Sequence, residues 1–216
     1  MKKFALVLIL MLSFSAAGTV TYLAPATIVL SDHLVESELG VFDDMLRNKH
    51  VGMVELSDCK GARKVGVKIL RHISEAIRER KLDTSVRGTA ASGCAVIFLA
   101  GFRKYFLTPP SGRATLLFFH AAHLPGVNGE EIQIQATREV VDDIVRFSVG
   151  RIDRKVASRL LETKNISGGL FILREPPKYL PWLGTAFFCD GTERLKPITC
   201  ESLTGLDASD LKILSK

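Results

Sequence analysis

The run Cys94-Ala-Val-Ile-Phe-Leu-Ala100 carries neither a charge nor a polar stripe. A helix with no polar face has nothing to offer water, so it must be buried all round. Layers of structure have to be supplied around it by the rest of the chain. The run follows Gly88-Thr-Ala-Ala-Ser92-Gly93, a stretch of small residues. Ser92 therefore stands at the start of a buried helix, where N–H groups lack intrahelical partners and the positive dipole end collects. The N–H of Gly93 falls where a developing oxyanion could be held. A second apolar run, Ala114 to Phe119, ends at His120. A serine opening a buried helix and a histidine ending a strand can meet as nucleophile and base. Spacing alone leaves a plainer alternative open, in which Ser92 is only an N-cap and His120 a satisfied buried histidine.

The surrounding pattern supplies the layers. Ala26 to Leu30 is short and β-branched and reads as a strand. Leu39, Val41, Phe42, Met45 and Leu46 recur at helical spacing. Val51 to Leu56 reads as a second strand, followed by a loop over Ser57 to Gly61. Val65, Ile69, Leu70, Ile73 and Ile77 form an apolar helical stripe, and Val86 marks a strand leading into the Ser92 turn. Strand and helix alternate three times, the rhythm of an α/β fold with a mostly parallel sheet and flanking helices. Functional loops in such folds gather at the carboxyl ends of the strands, where Ser57–Gly61 and Ser92 both fall. Beyond His120 comes a turn-rich stretch containing His123, read as a surface histidine. A long helical pattern from Gln135 to Leu161 then follows, its apolar face marked by Val140, Val141, Ile144, Val145, Val149, Ile152, Val156 and Leu160. Pro176, Pro177 and Pro181 exclude a continuous helix in the tail. There Thr185 to Cys189 reads as a strand, Ile198 to Cys200 as its partner and Asp207 to Lys216 as a frayed helix, with Trp182 assigned to packing.

Residues 1–17 have the form of a secretory leader: Lys2 and Lys3, an apolar run from Phe4 to Phe14, and small residues at Ser15-Ala16-Ala17. An uncleaved anchor is the alternative, because no charge occurs between Lys3 and Asp32. The rest of the chain is of a length and composition, 47% hydrophobic and 24% charged, that suits one globular domain. Its lysines and arginines still outnumber the acids once the leader is set aside, but they are scattered among them. No basic stripe with interleaved aromatics appears, so nucleic-acid binding is unsupported. No C-x-x-C motif or His/Cys cluster has metal-site spacing, so neither metal nor cofactor is expected. Cys59, Cys94, Cys189 and Cys200 make an even count in an exported chain, which suggests disulfides in any of three pairings. Cys189 with Cys200 is the local choice. The apolar neighbours of Cys94 also suit a buried free thiol.

The segment GTAASGCAVIFLAG, followed by a strand, a Pro-containing turn and ATLLFFH, resembles the serine-peptidase subunit of the Clp protease and, within that family, small exported ClpP-like proteins of bacteria. Gly88, Ala91, Ser92, Ala95, Ala100, Gly101, Pro109 and His120 match its landmarks in order. The resemblance runs from about Ala26 to about Leu161. It implies a leader over 1–17, a ClpP/crotonase-like α/β domain over 26–164 and a divergent extension over 165–216. It further implies a periplasmic or secreted serine hydrolase acting on peptides or proteins, with Ser92 as nucleophile, His120 as base, and N–H groups of Gly93 and Gly61 as the oxyanion site. Assembly into a homo-oligomer would follow the family, in which a helix at the place of Gln135–Leu161 helps pack subunits. An ATPase partner is not implied, because an exported protein has no access to cytoplasmic ATP. The resemblance also brings Cys59 near Cys94, which makes that pairing a candidate bridge.

Three departures stand beside this likeness. The paired glycines of the family's oxyanion loop are reduced to Gly61, with Cys59 and Lys60 beside it. Lys60 itself, the base of a Ser–Lys alternative, lies in a polar loop where burial would not lower its pKa. The aspartate expected about fifty residues after the histidine is missing, since the region reads Asn165-Ile-Ser-Gly-Gly-Leu170. Glu162 and Glu175 flank that region, and Asp190 is the acid chosen to complete a triad. Otherwise a Ser–His dyad works slowly, or the chain is a silent scaffold that binds peptides or partner proteins.

Overall fold

The computed structural model of the chain describes residues 19–62, 66–110, 112–126, 129–192 and 200–215. The leader over 1–17, Val65 of the second apolar stripe and most of the Ile198–Cys200 strand lie outside these residues.

Alternating β-branched and apolar residues give a first strand, Thr19–Leu23 (β1), that folds back on Thr27–Leu34 (β2). Glu38–Asn48 (α1) buries Phe42 and Leu46. Met53–Ala62 (β3) then lies parallel to β2, and Gly66–Glu79 (α2) turns Ile69, Leu70, Ile73 and Ile77 into the core. Asp83–Ala91 (β4) runs parallel to β3, and Gly93–Leu99 (α3) follows at once. Every residue from Cys94 to Ala100 is buried, as an apolar run without a polar stripe requires. This helix packs against α2 and against β3 and β4.

The rest of the sheet grows from β4. Its first half pairs in parallel with Lys104–Leu107 (β5) and its second half with Leu116–Phe119 (β6). His123–Gly126 (β7), in the stretch read as turn-rich, and Gly129–Ile132 (β8) make a separate two-stranded sheet. Ile134–Phe147 (α4) and Arg154–Ser158 (α5) follow, then a 3-10 turn over Arg159–Glu162. Gly169–Leu173 (β9) pairs antiparallel with β6, Ala186–Cys189 (β10) with β9, and Glu201–Ser202 (β11) with β10. Ile213–Ser215 (β12) returns to lie parallel to β5. Strand order in the main sheet is β1-β2-β3-β4-β6-β9-β10-β11, with β5 and β12 beside the lower half of β4. The class is the expected one, α/β with a mostly parallel centre and flanking helices. No helix among the described residues is long and apolar enough to cross a membrane.

Three expectations fail here for local reasons. The single long helix over Gln135–Leu161 is broken where Val149 (φ 56) and Gly150 (φ 71) leave helical geometry, and Asp153 then caps α5 by accepting the N–H of Lys155 at 2.6 Å. Val149, counted on the apolar face, is consequently 71% exposed. The frayed helix over Asp207–Lys216 is instead a turn leading into β12, whose residues gain ladder partners on β5. Trp182 is exposed, not packed.

Candidate functional site

The expected loop over Ser57–Gly61 is part of β3, which continues to Ala62. The pairing shifts register between Ser57 and Cys59, and Asp58 takes a left-handed backbone (φ 47), so the strand carries a bulge. The Asp58 carboxylate reaches β4, accepting the N–H of Thr89 at 3.1 Å and pairing with Arg113 at 2.8 Å. Gly88 leaves it room, since a Cβ there would lie 2.3 Å from Asp58 Oδ1. The bulge thus holds the end of β3 against the end of β4, where Ser92 follows.

Ser92 links β4 to α3 at φ 56, ψ −128, a backbone conformation that side-chain-bearing residues adopt at a cost. Its N–H donates to the carbonyl of Phe118 at 2.7 Å and its carbonyl accepts the N–H of Ala95 at 3.1 Å. No side-chain capping bond is made, so Ser92 does not serve as the plain N-cap of α3. A strained serine between a strand and a buried helix holds its hydroxyl at the strand tip. Ser92, Gly93 and His120 are all half-buried.

Register places the histidine alongside. Ala91 of β4 is paired with Phe118 of β6, so Ser92 and His120 leave the ends of adjacent parallel strands. The Nδ1 of His120 lies 2.7 Å from the carbonyl oxygen of Ala121. A carbonyl only accepts, so Nδ1 carries the proton and Nε2 is the basic nitrogen of the neutral ring. The ring also rests 5.2 Å from Phe118, which stacks on Phe171 at 4.5 Å, which in turn stacks on Phe187 at 5.1 Å. These aromatics are cross-strand partners on β6, β9 and β10. Phe118 lines one side of the imidazole, backed by the other two. His123, half-buried with its ring 5.9 Å from that of His120, lies beside the site and not on the open surface.

Gly61 is brought directly against the serine. A Cβ added there would stand 2.7 Å from Ser92 Cβ and 3.1 Å from Ser92 Oγ, and its φ is +96. Glycine is required on both counts. The N–H of Gly61 donates to Cys94 Sγ at 3.2 Å. Cys94 is bonded to Cys59, and Cys189 to Cys200, so all four cysteines are paired, and Cys94 is not a free thiol. Cys59 and Cys94 are fully buried.

Lys60 and Asp190 have other partners. The Lys60 side chain is 59% exposed and paired with Asp32 at 2.9 Å, a solvated ion pair. Asp190 follows β10, at the same edge of the sheet as His120 but with β9 between their strands. Strands are about 4.8 Å apart, so the two residues leave strands separated by roughly 10 Å. Its Oδ1 accepts the N–H and the hydroxyl of Thr192, closing a local turn. Among the described residues, no three His, Cys, Asp or Glu side chains form a metal cluster. The Ala121 carbonyl and the aromatic row had not been anticipated: the first leaves no mark in residue type, and the second needs strand pairing to become visible.

Fold and site together define an α/β protein with a serine on a strand-to-helix elbow and a histidine at the neighbouring strand end. No protein-family profile matches the chain, and no curated protein sequence matches it. Among solved structures it is similar to a serine-to-alanine mutant of the 1510-N membrane-bound stomatin-specific protease, at 15% identity over 62% of this chain and 67% of that one, with a TM-score of 0.44. It is similar also to a lysine-to-alanine mutant of that protease in complex with a substrate peptide, at 16% identity over 62% and 63%, TM-score 0.41. A peptidase from Plasmodium falciparum aligns at 13% identity over 79% and 91%, TM-score 0.42.

Proposed function

We propose that the chain is an exported ClpP-like serine hydrolase acting on peptides, with Ser92 as nucleophile and His120 as general base. The observation that carries the reading is the left-handed backbone of Ser92, held between β4 and α3 beside the strand that ends at His120. Strain of this kind persists only where the surroundings over-determine it, and it collects at functional sites.

In the proposed reaction His120 Nε2 takes the Ser92 hydroxyl proton as Oγ attacks the peptide carbonyl. The N–H of Gly93, in the first turn of α3, receives the oxyanion. The imidazolium then gives its proton to the leaving amine, and water repeats the sequence on the acyl-enzyme. Loss of the orienting aspartate from a Ser–His–Asp triad lowers turnover by about 10⁴, because the histidine takes the wrong tautomer. Here the Ala121 carbonyl fixes the tautomer. A Ser–His dyad without Asp190 is therefore chemically complete, though a neutral carbonyl stabilises the imidazolium less than a carboxylate does. Two disulfides suit an oxidising compartment outside the cytoplasm and support export.

A fluorophosphonate probe tests this. Labelling is expected in the folded protein, lost in Ser92→Ala and slowed about 10²-fold or more in His120→Ala. Labelling that survives Ser92→Ala would overturn the assignment. A silent peptide-binding scaffold is the second reading. It is favoured by the Gly61 N–H, which is already bonded to Cys94 Sγ.

A further inference from the structure

Cys59-Lys60-Gly61 and Ser92-Gly93-Cys94 form a closed ring. The bridge joins the outer cysteines, and Gly61 lies against Ser92 at the inner ends. Within this ring the Gly61 N–H is held by Cys94 Sγ at 3.2 Å in a buried position. Gly61 of β3 lies against the serine, where an added Cβ would stand 3.1 Å from Ser92 Oγ, and it carries no side chain to hinder rotation of its peptide plane. A hydrogen bond to a disulfide sulfur is weak, but it occupies the Gly61 N–H that an oxyanion formed at Ser92 would otherwise use.

We propose that Cys94 is a positioning residue whose sulfur withholds the second oxyanion donor, so that the bridged protein works with one donor where two are within reach. This rests on the hydrolase reading above. It assigns Gly61 N–H as the withheld donor and Cys94 Sγ as the acceptor that holds it. A one-donor site explains how the serine elbow and tautomer-fixed histidine coexist with a backbone amide that is already bonded. It also makes acylation, rather than peptide binding, the step that the sulfur slows.

Two substitutions of the same cysteine separate this from loss of the bridge. Cys94→Ala removes the bridge and the acceptor together. Cys94→Ser also removes the bridge but leaves a hydroxyl oxygen to accept the Gly61 N–H. Fluorophosphonate labelling rates are measured on purified full-length protein, with circular dichroism confirming that each variant is folded. Cys94→Ala is expected to label about 10²-fold faster than wild type, the usual effect of one oxyanion donor, and Cys94→Ser to fall back toward the wild-type rate. Equal rates in the two variants, or a Cys94→Ala rate at or below wild type, would overturn the proposal. In that case labelling of wild type that disappears in Ser92→Ala leaves the hydrolase reading standing. If Cys94→Ala and wild type both fail to label while folded, the hydrolase reading fails and the withheld donor fails with it.

Discussion

The parallel centre and the antiparallel flank of the sheet are each closed by one disulfide, and the two bridges do different work. Cys59–Cys94 ties the end of β3 to the first turn of α3, joining elements that separate strands and helices have already brought together. Cys189–Cys200 staples the last residue of β10 to the residue just before β11, a pair of strands held otherwise by two residue pairings. The first constrains a position, because Gly61 and Ser92 lie inside its ring. The second constrains a segment with a small core of its own around Leu173, Leu183, Phe187 and Cys189. In one molecule the same covalent bond serves precision in the first region and retention in the second.

That contrast can be measured. Chain-entropy reasoning gives the bridge spanning 35 residues about 4 kcal/mol and the one spanning 11 about 3 kcal/mol. Paired alanine substitutions at each bridge should lower the unfolding free energy in urea in that order. A larger loss at Cys189–Cys200 would reverse the comparison and make the flank the more cross-link-dependent region.

An effect comparable to that of the shorter bridge belongs to the centre alone. Asp143 of α4 is buried and accepts two hydrogen bonds from Arg71 of α2, at 2.9 and 3.1 Å. Burial raises its carboxyl above the ordinary range, and Arg71 pulls it back down. A carboxyl raised in the folded state contributes its full stability below the unfolded pKa, about 3.9, and loses it as pH rises through the folded value. Arg71→Met removes the opposing cation, so the folded value rises further. The variant should lose about 3 kcal/mol at pH 7 and much less at pH 4, followed by urea denaturation at both. An equal loss at both pH values would show that Arg71 acts by packing and not by charge. The smallest effect lies at the junction of the two regions, where Asp153→Ala should cost about 1 kcal/mol by uncapping α5. A thermal midpoint unchanged from wild type would show that the α4–α5 break is held by Gly150 and burial alone.

The two regions also differed in how far they could be read in advance. In the centre, the apolar run from Cys94 and the stripe at Ile69, Leu70, Ile73 and Ile77 dictated buried faces, and those faces are where the structure has them. Ser92 and His120 were legible because both sit at ends of such runs. What could not be read there was bulge geometry: Asp58 looked like a loop residue, and only pairing with β2 and β4 shows a strand passing through it. Beyond those runs, β9 in the flank and β12 beside the centre are short and owe their conformation to distant partners on β6 and β5. Local pattern holds no record of such partners, so Asp207–Lys216 read as a helix. Sequence offers Asp190 only as an acid beyond the long helical pattern, and its bonds to Thr192 emerge only in three dimensions.

The burial of α3 from Cys94 to Leu99 has a dynamic consequence. Its amides can exchange with solvent only when helices and strands on both sides separate, so Ser92 is rooted in the slowest-opening part of the molecule. His120, in contrast, leads straight into the β7–β8 hairpin, which shares no ladder with the main sheet. In the proposed hydrolase, accommodation of differently shaped substrates would therefore be borne on the imidazole's side, while the hydroxyl stays fixed as the point to which everything else adjusts.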